Sequence, residues 1–186
     1  FMGTGLGARE NDDKNPMIMA RCQWNFTGEP LAFTGSDIEY HENFTSIIAF
    51  AGLTNRSPYT RFSTAGGGQL EGFEAGVAGQ YRVNQLLLET AGKYKGFSWQ
   101  QELHWKEIND QVNTTKTTLT GHLFQLGYFP HYIWNSFPQK MELYARHAFY
   151  DPALEESSDF QHEFSTGANW FFNGHLNKLT AAYSYF

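Results

Sequence analysis

Residues that can carry charge or hydrogen-bond a solute recur at every second position in several segments. Glu102, His104 and Lys106, for example, alternate with Leu103 and Trp105. The same alternation selects eight candidate pore-lining residues, which are Arg21, Gln23, Glu102, His104, Lys106, Glu142, Arg146 and Glu163. On the wall of a water-filled channel such groups need no special pairing and can set selectivity. The alternative is that they form salt bridges that only hold the wall together.

Motifs of enzyme chemistry are absent from the sequence. It contains no His-Glu-x-x-His, no Gly-x-Ser-x-Gly and no cysteine at a useful spacing from a histidine. Its single cysteine, Cys22, excludes an intrachain disulfide and a multi-cysteine metal site. The acidic clusters at 10–13 and 155–159 offer carboxylates to Ca²⁺ but lack the spacing of a calcium loop. We therefore expect no enzyme activity, no cofactor and no metal site.

Composition narrows the class of protein further. Charged residues make up 17% of the 186 residues, aromatic residues another 17%, and the formal net charge is -6. Abundant aromatic residues argue against disorder, and the net negative charge argues against nucleic-acid binding. No run approaches the roughly 18 apolar residues of a membrane-spanning helix. These exclusions leave the class of folded proteins without helical membrane spans.

The elements that position these side chains are predicted to be long β-strands, because the polarity repeats every two residues. Eight strands are predicted, at 18–26, 38–52, 80–93, 97–107, 118–129, 141–150, 163–172 and 176–186. Strands of globular proteins average about 5 to 6 residues, whereas about 9 to 11 residues cross a bilayer. The lengths favour a transmembrane antiparallel up-and-down β-barrel. A soluble β-domain with an aromatic core is the alternative.

Large aromatic residues lie near both ends of the predicted strands, at positions that share the apolar parity. The predicted lipid-facing girdle comprises Trp24, Phe26, Phe97, Trp99, Trp105, Phe149, Phe164, Trp170 and Phe172. Phe97 and Trp105 are eight residues apart, as are Phe164 and Phe172, which is roughly 26 Å along a strand. Strand tilt brings this close to the roughly 25 Å apolar band of outer-membrane barrels. The spacing therefore predicts two aromatic belts.

The connections are predicted to alternate between short and long. Residues 94–96 and 173–175 are tight turns, whereas 53–79, 108–117 and 151–161 are longer and polar. The connections 28–37 and 130–140 are intermediate in length. Short turns on one rim and long loops on the other are typical of outer-membrane barrels. The glycine run at 66–68 predicts either a loop that folds into or over the pore or a flexible surface loop.

Both ends of the chain indicate a fragment. Phe1 precedes Met2, which is no natural start, and Phe186 shares its parity with Ser184 and other polar-face positions. A closing strand is therefore expected beyond residue 186. We interpret residues 1–186 as a single partial barrel domain that lacks earlier strands and the closing C-terminal strand.

Five segments resemble one known family. They are 19–26 (MARCQWNF), 93–102 (KYKGFSWQQE), 121–129 (GHLFQLGYF), 142–152 (ELYARHAFYDP) and 169–180 (NWFFNGHLNKLT). They resemble, in order, motifs in the C-terminal half of the phosphate-selective porin O and P family. The resemblance implies a sixteen-stranded porin, usually a homotrimer, in the outer membrane of a Gram-negative-type bacterium. Its implied surroundings are outer-membrane lipid and lipopolysaccharide.

Two functions follow from these observations. The first is a water-filled channel for passive diffusion of small hydrophilic solutes, including phosphate or other anions. The second is an outer-membrane barrel that serves as scaffold or sleeve for a partner protein in a surface complex. The net negative charge of this chain does not by itself favour anions, because local rings of charge decide selectivity.

Overall fold

The computed structural model describes residues 14–27, 29–31, 34–63, 66–156 and 160–186. The strands, in chain order, are β1 (Ile18–Asn25), β2 (Thr45–Ser57), β3 (Arg61–Ser63), β4 (Gly66–Gly68), β5 (Tyr81–Tyr94), β6 (Phe97–Asp110), β7 (Thr115–Tyr128), β8 (Met141–Asp151), β9 (Gln161–Asn173) and β10 (Asn177–Tyr185). A 3-10 turn occupies Pro130–Tyr132. In the part of the chain that the structure describes, no helix is long and apolar enough to cross a membrane.

Eight long strands form one antiparallel sheet whose spatial order follows the chain, β1-β2-β5-β6-β7-β8-β9-β10. The short strands β3 and β4 form a separate hairpin within the connection from β2 to β5. The predicted all-β, antiparallel, eight-stranded architecture is confirmed. Among the described residues β1 and β10 do not pair with each other, so the sheet is open.

The second long strand begins at Thr45, later than the predicted 38. Tyr40 has a φ of 55°, which interrupts extended backbone. The Asp37 carboxylate accepts hydrogen bonds from the backbone N–H of His41 and of Gly96. Residues 37–41 are therefore held as an irregular segment against the turn between β5 and β6, although their polarity alternates.

The connections do not alternate between short and long as predicted. One edge of the sheet, here the turn rim, carries 26–44, 95–96, 129–140 and 174–176. The opposite edge, the loop rim, carries 58–80, 111–114 and 152–160. The predicted long loop at 108–117 is a tight turn, because Asp110 Oδ1 accepts the N–H groups of Val112 and Asn113. Each rim therefore mixes short and long connections.

The cross-strand register divides the side chains of the sheet between two faces, because directly paired residues point to the same side. On one side Gln100 pairs with Gln125, which pairs with Arg146, which pairs with Ser165. We call this side the polar face. On the other, the apolar face, Leu86 pairs with Trp105 and Leu88 pairs with Leu103.

The buried core lies on the polar face, where connections fold back onto the sheet. Near the loop rim, Phe62, Leu70 and Phe73 of the 58–80 connection pack against a buried cluster. That cluster consists of Tyr81, Val83, Ile108 and Leu119. Near the turn rim, Leu31 packs with Ile47 and Ala91. The sheet is thus covered at both ends of its polar face by its own connections.

Candidate functional site

The register places all eight predicted pore-lining residues on the polar face. They are Arg21, Gln23, Glu102, His104, Lys106, Glu142, Arg146 and Glu163. The strands that carry them bring Glu102 beside Glu89 and Arg146 beside Ser165. Residues far apart in sequence therefore form one continuous surface.

Charged and polar side chains contact one another in the middle of the polar face, both between strands and along a single strand. Arg21 Nε lies 2.7 Å from Glu89 Oε2. Arg146 and Glu163 approach to 3.8 Å, and His104 Nε2 lies 3.2 Å from Glu102 Oε2. Solvent reaches these partly exposed contacts, so each contributes little to stability.

Glu89 belongs to this surface, although it was not among the predicted residues. It follows the run Leu86-Leu87-Leu88, which occupies both parities and hides the alternation. The pairing of Leu87 with His104 and of Leu88 with Leu103 resolves the ambiguity. Cross-strand register therefore supplied what local polarity could not.

At the loop rim, the 58–80 connection covers part of the polar face. Lys106 Nζ donates a hydrogen bond to the carbonyl oxygen of Thr60, and its ammonium lies 6.0 Å from the centre of the Phe62 ring. The glycine run lies in this connection, where Gly67 lies in close contact with the Tyr59 ring. The structure thus agrees with a loop folded over this face.

At the turn rim, residues 34–41 lie across the polar face and bury the carboxylate of Glu142. Ser36 Oγ donates to Glu142 Oε2 at 2.8 Å, and Asn169 Nδ2 donates to the same oxygen at 2.7 Å. Glu142 is 1% exposed. Gly127 permits this approach, because a Cβ there would lie 2.3 Å from Glu142 Oε1. Glu142 therefore lies beneath a connection rather than at the open surface.

Two further residues attach segment 34–41 to the sheet. Lys93, which is 2% exposed, donates from Nζ to Thr34 Oγ1 at 2.7 Å. Ser98 Oγ donates to the carbonyl oxygen of Gly35 at 2.9 Å. Together with Glu142 they hold the segment through hydrogen bonds to three strands. Lys93 was not predicted as a functional residue, because nothing local distinguishes a covered lysine from an open one.

Aromatic groups in the connections of the turn rim are also partly buried. Burial raises the pKa of the Tyr132 phenol, and the nearby Asp37 carboxylate adds to this effect. Burial lowers the pKa of His175, as do Lys93 and Lys178. The Tyr132 ring centre lies 4.2 Å from that of Tyr40. These contacts pack the 129–140 connection and the last turn near segment 34–41.

The predicted girdle residues of the strands lie on the apolar face, and several are widely exposed. Trp24 is 67% exposed, Phe164 55% and Phe172 53%. The full predicted set is Trp24, Phe26, Phe97, Trp99, Trp105, Phe149, Phe164, Trp170 and Phe172, of which Phe26 directly follows β1. Exposed apolar surface on this scale marks a contact with lipid or protein.

No group of three or more potential metal ligands occurs within the described ranges. In the second acidic cluster, Glu155 Oε2 accepts the backbone N–H of Thr118 at 3.1 Å, and this hydrogen bond lowers the pKa of Glu155. The rest of that cluster at 157–159, and the whole cluster at 10–13, lie outside the described residues.

Comparison with known proteins identifies the family. The sequence model of the family described as phosphate-selective porin O and P matches residues 59–185, which is more than half of the chain. No curated protein and no solved structure matches the chain significantly. The matched range contains β5 to β10 and most of the 58–80 connection. The chain belongs to the phosphate-selective porin O and P family.

Proposed function

We propose that this chain forms part of the wall of an outer-membrane porin that passes small hydrophilic solutes by passive diffusion. The observation that carries the proposal is the division of one continuous sheet into a charged face and an exposed aromatic face. A wall with lipid on one side and water on the other requires this division.

In this proposal the full-length protein closes a sixteen-stranded transmembrane barrel, and residues 1–186 are a partial barrel domain. The polar face lines the pore, and the girdle residues contact lipid. The loop rim carries the longest connection, 58–80, so we assign it to the cell surface. The porin assembles as a homotrimer in the outer membrane of a Gram-negative-type bacterium.

Phosphate and other small anions are the proposed solutes, and two cations at the loop rim support this choice. Lys106 lies near Arg61 of the 58–80 connection, and within the described residues no ion pair neutralises either. Arg21 and Arg146, in contrast, are paired with carboxylates. An unneutralised pair of cations attracts anions into a narrow pore.

Planar-bilayer recording of the full-length protein tests the proposal. We expect discrete ion-conducting steps, and in a salt gradient Lys106→Met should shift the reversal potential away from anion preference. Lys116→Met is the matched control, because Lys116 lies at the same rim on the opposite side of the sheet, paired with Glu107. Absence of conducting steps would refute the channel, and equal shifts in both variants would refute the role of Lys106.

A further inference from the structure

Three histidines interrupt the apolar face on adjacent strands. His122 of β7, His147 of β8 and His162 of β9 form a hydrogen-bonded row, here the histidine row. His122 Nε2 lies 2.9 Å from His147 Nδ1, and His147 Nε2 lies 3.3 Å from His162 Nδ1. Phe149 pairs directly with both His122 and His162, and Phe164 pairs with His147. Imidazole rings thus alternate with phenyl rings across three strands.

The histidine row lies where the apolar face meets the polar end of the strands. Thr120 and Asp151 form the next pair of this face toward the loop rim, followed on β7 by Thr118 and Lys116. Toward the turn rim, Leu126 and Ala145 continue the apolar face. In a barrel wall this boundary is the level of lipid headgroups.

The row has a hydrogen-bonding capacity that the protein does not use. Three neutral imidazoles carry three N–H donors, and the two links within the row consume two of them. Among the described residues no further partner is found for the outer nitrogens of His122 and His162. Hydrocarbon cannot satisfy a polar N–H, so the row requires an acceptor from its surroundings.

A metal ion is a poor candidate for that partner. His147 offers different ring nitrogens, Nδ1 and Nε2, to its two neighbours, so one ion cannot bind all three imidazoles through the atoms that face one another. An anionic oxygen, in contrast, accepts from neutral imidazole and attracts protonated imidazole. The chemistry therefore favours a phosphate group.

Apolar depressions flank the row on both sides. One of about 330 Å³ is lined by Leu88, Leu103, Trp105, His122 and Phe149, among others. Another of about 400 Å³ is lined by Phe124, Leu126, His147, Phe164 and Tyr183, among others. A phosphate at the histidine row would therefore have grooves suited to acyl chains directly beside it.

We propose that the histidine row, through an outer ring nitrogen on His122 or His162, binds a phosphate group of the outer-leaflet glycolipid, with its acyl chains in the two flanking depressions. The proposal rests on the proposed function, because it needs the loop rim at the outer surface of a membrane. It assigns a specific lipid-binding site to the apolar face.

Native mass spectrometry of the full-length protein, with bisphosphorylated and dephosphorylated lipid A as probes, tests this site. We expect preferential retention of the phosphorylated form. The triple variant His122→Phe, His147→Phe, His162→Phe should weaken its retention about tenfold, the effect of losing one charge-assisted hydrogen bond. His104→Phe is the control, because His104 lies on the polar face.

Conductance of the same variants separates this inference from the channel function. The triple variant should conduct normally, because its substitutions leave the polar face unchanged. Equal retention of the two lipids by the unmodified protein would overturn the inference, even in a conducting channel. Loss of the oligomer with unchanged lipid retention would also overturn it and would assign the row to a subunit contact.

Discussion

At the residue scale, position on the polar face does not decide exposure. Glu142 and Glu163 both lie on that face, yet Glu142 is 1% exposed while 27% of the Glu163 side chain is exposed. Segment 34–41 covers Glu142 and supplies Ser36 as a donor. A buried carboxylate of this kind holds a connection in place, whereas an exposed one remains available to solutes.

Glu142→Ala should therefore destabilise the protein more than Glu163→Ala. Without the carboxylate, Ser36 and the Asn169 amide lose their acceptor in a buried place, which costs about 1–3 kcal/mol. Water can replace the exposed carboxylate of Glu163 as a partner of Ser165 and Arg146, so its loss should cost much less. Thermal unfolding followed by circular dichroism in detergent measures both, and an equal decrease would contradict the argument.

At the scale of elements, the 58–80 connection is the part most able to narrow a pore. Its contact with the sheet is apolar, through Phe62, Leu70 and Phe73 on the cluster around Val83 and Ile108. The backbone carbonyl of Thr60 also accepts a hydrogen bond from Lys106. The connection is thus attached to the polar face by burial of apolar surface and by this hydrogen bond.

Replacing Phe62, Leu70 and Phe73 together by serine should release the connection and raise single-channel conductance. Full burial of such a side chain contributes about 1.5–3 kcal/mol, and these three are partly buried, so the triple change removes a substantial part of the attachment. Single-channel recording measures the effect. Val77→Ser in the same connection is the control, because Val77 is 63% exposed. Unchanged conductance in the triple variant would show that the connection does not obstruct the pore.

At the scale of the whole molecule, the two faces define the environments of the sheet. Leu87 and Leu88 are neighbours in sequence, yet Leu87 pairs with His104 on the polar face and Leu88 with Leu103 on the apolar face. Both are leucines at nearly the same height of the same strand. The same substitution at both positions therefore tests the effect of the face while the residue type and height stay the same.

Leu88→Arg should impair folding into lipid vesicles, whereas Leu87→Arg should not. An arginine facing lipid costs about 2–4 kcal/mol near the middle of the bilayer, while one facing a water-filled pore is solvated. The folded fraction of the full-length protein, measured by its altered mobility in gels without heating, reports the difference. Equal folding of both variants would be inconsistent with a lipid-facing apolar face.

Much of the sheet could be predicted from the sequence, because alternation is a local property. It placed Trp105 and Lys106 on opposite faces and located all eight long strands, with the largest error at the start of β2. The lengths of the connections were predicted less well from the sequence. The turn at 111–114 depends on the Asp110 side chain, and segment 34–41 on contacts with other strands.

The sequence by itself determined which side chains share a face, since successive residues of a strand point to opposite sides whatever else the chain does. Only the tertiary structure decided which polar groups are covered, since the covering contacts join distant residues. Ser36 and Glu142 are separated by 106 positions, and Lys106 and Thr60 by 46. No local periodicity encodes such contacts, because they form only after the strands have paired and the connections fold back across them.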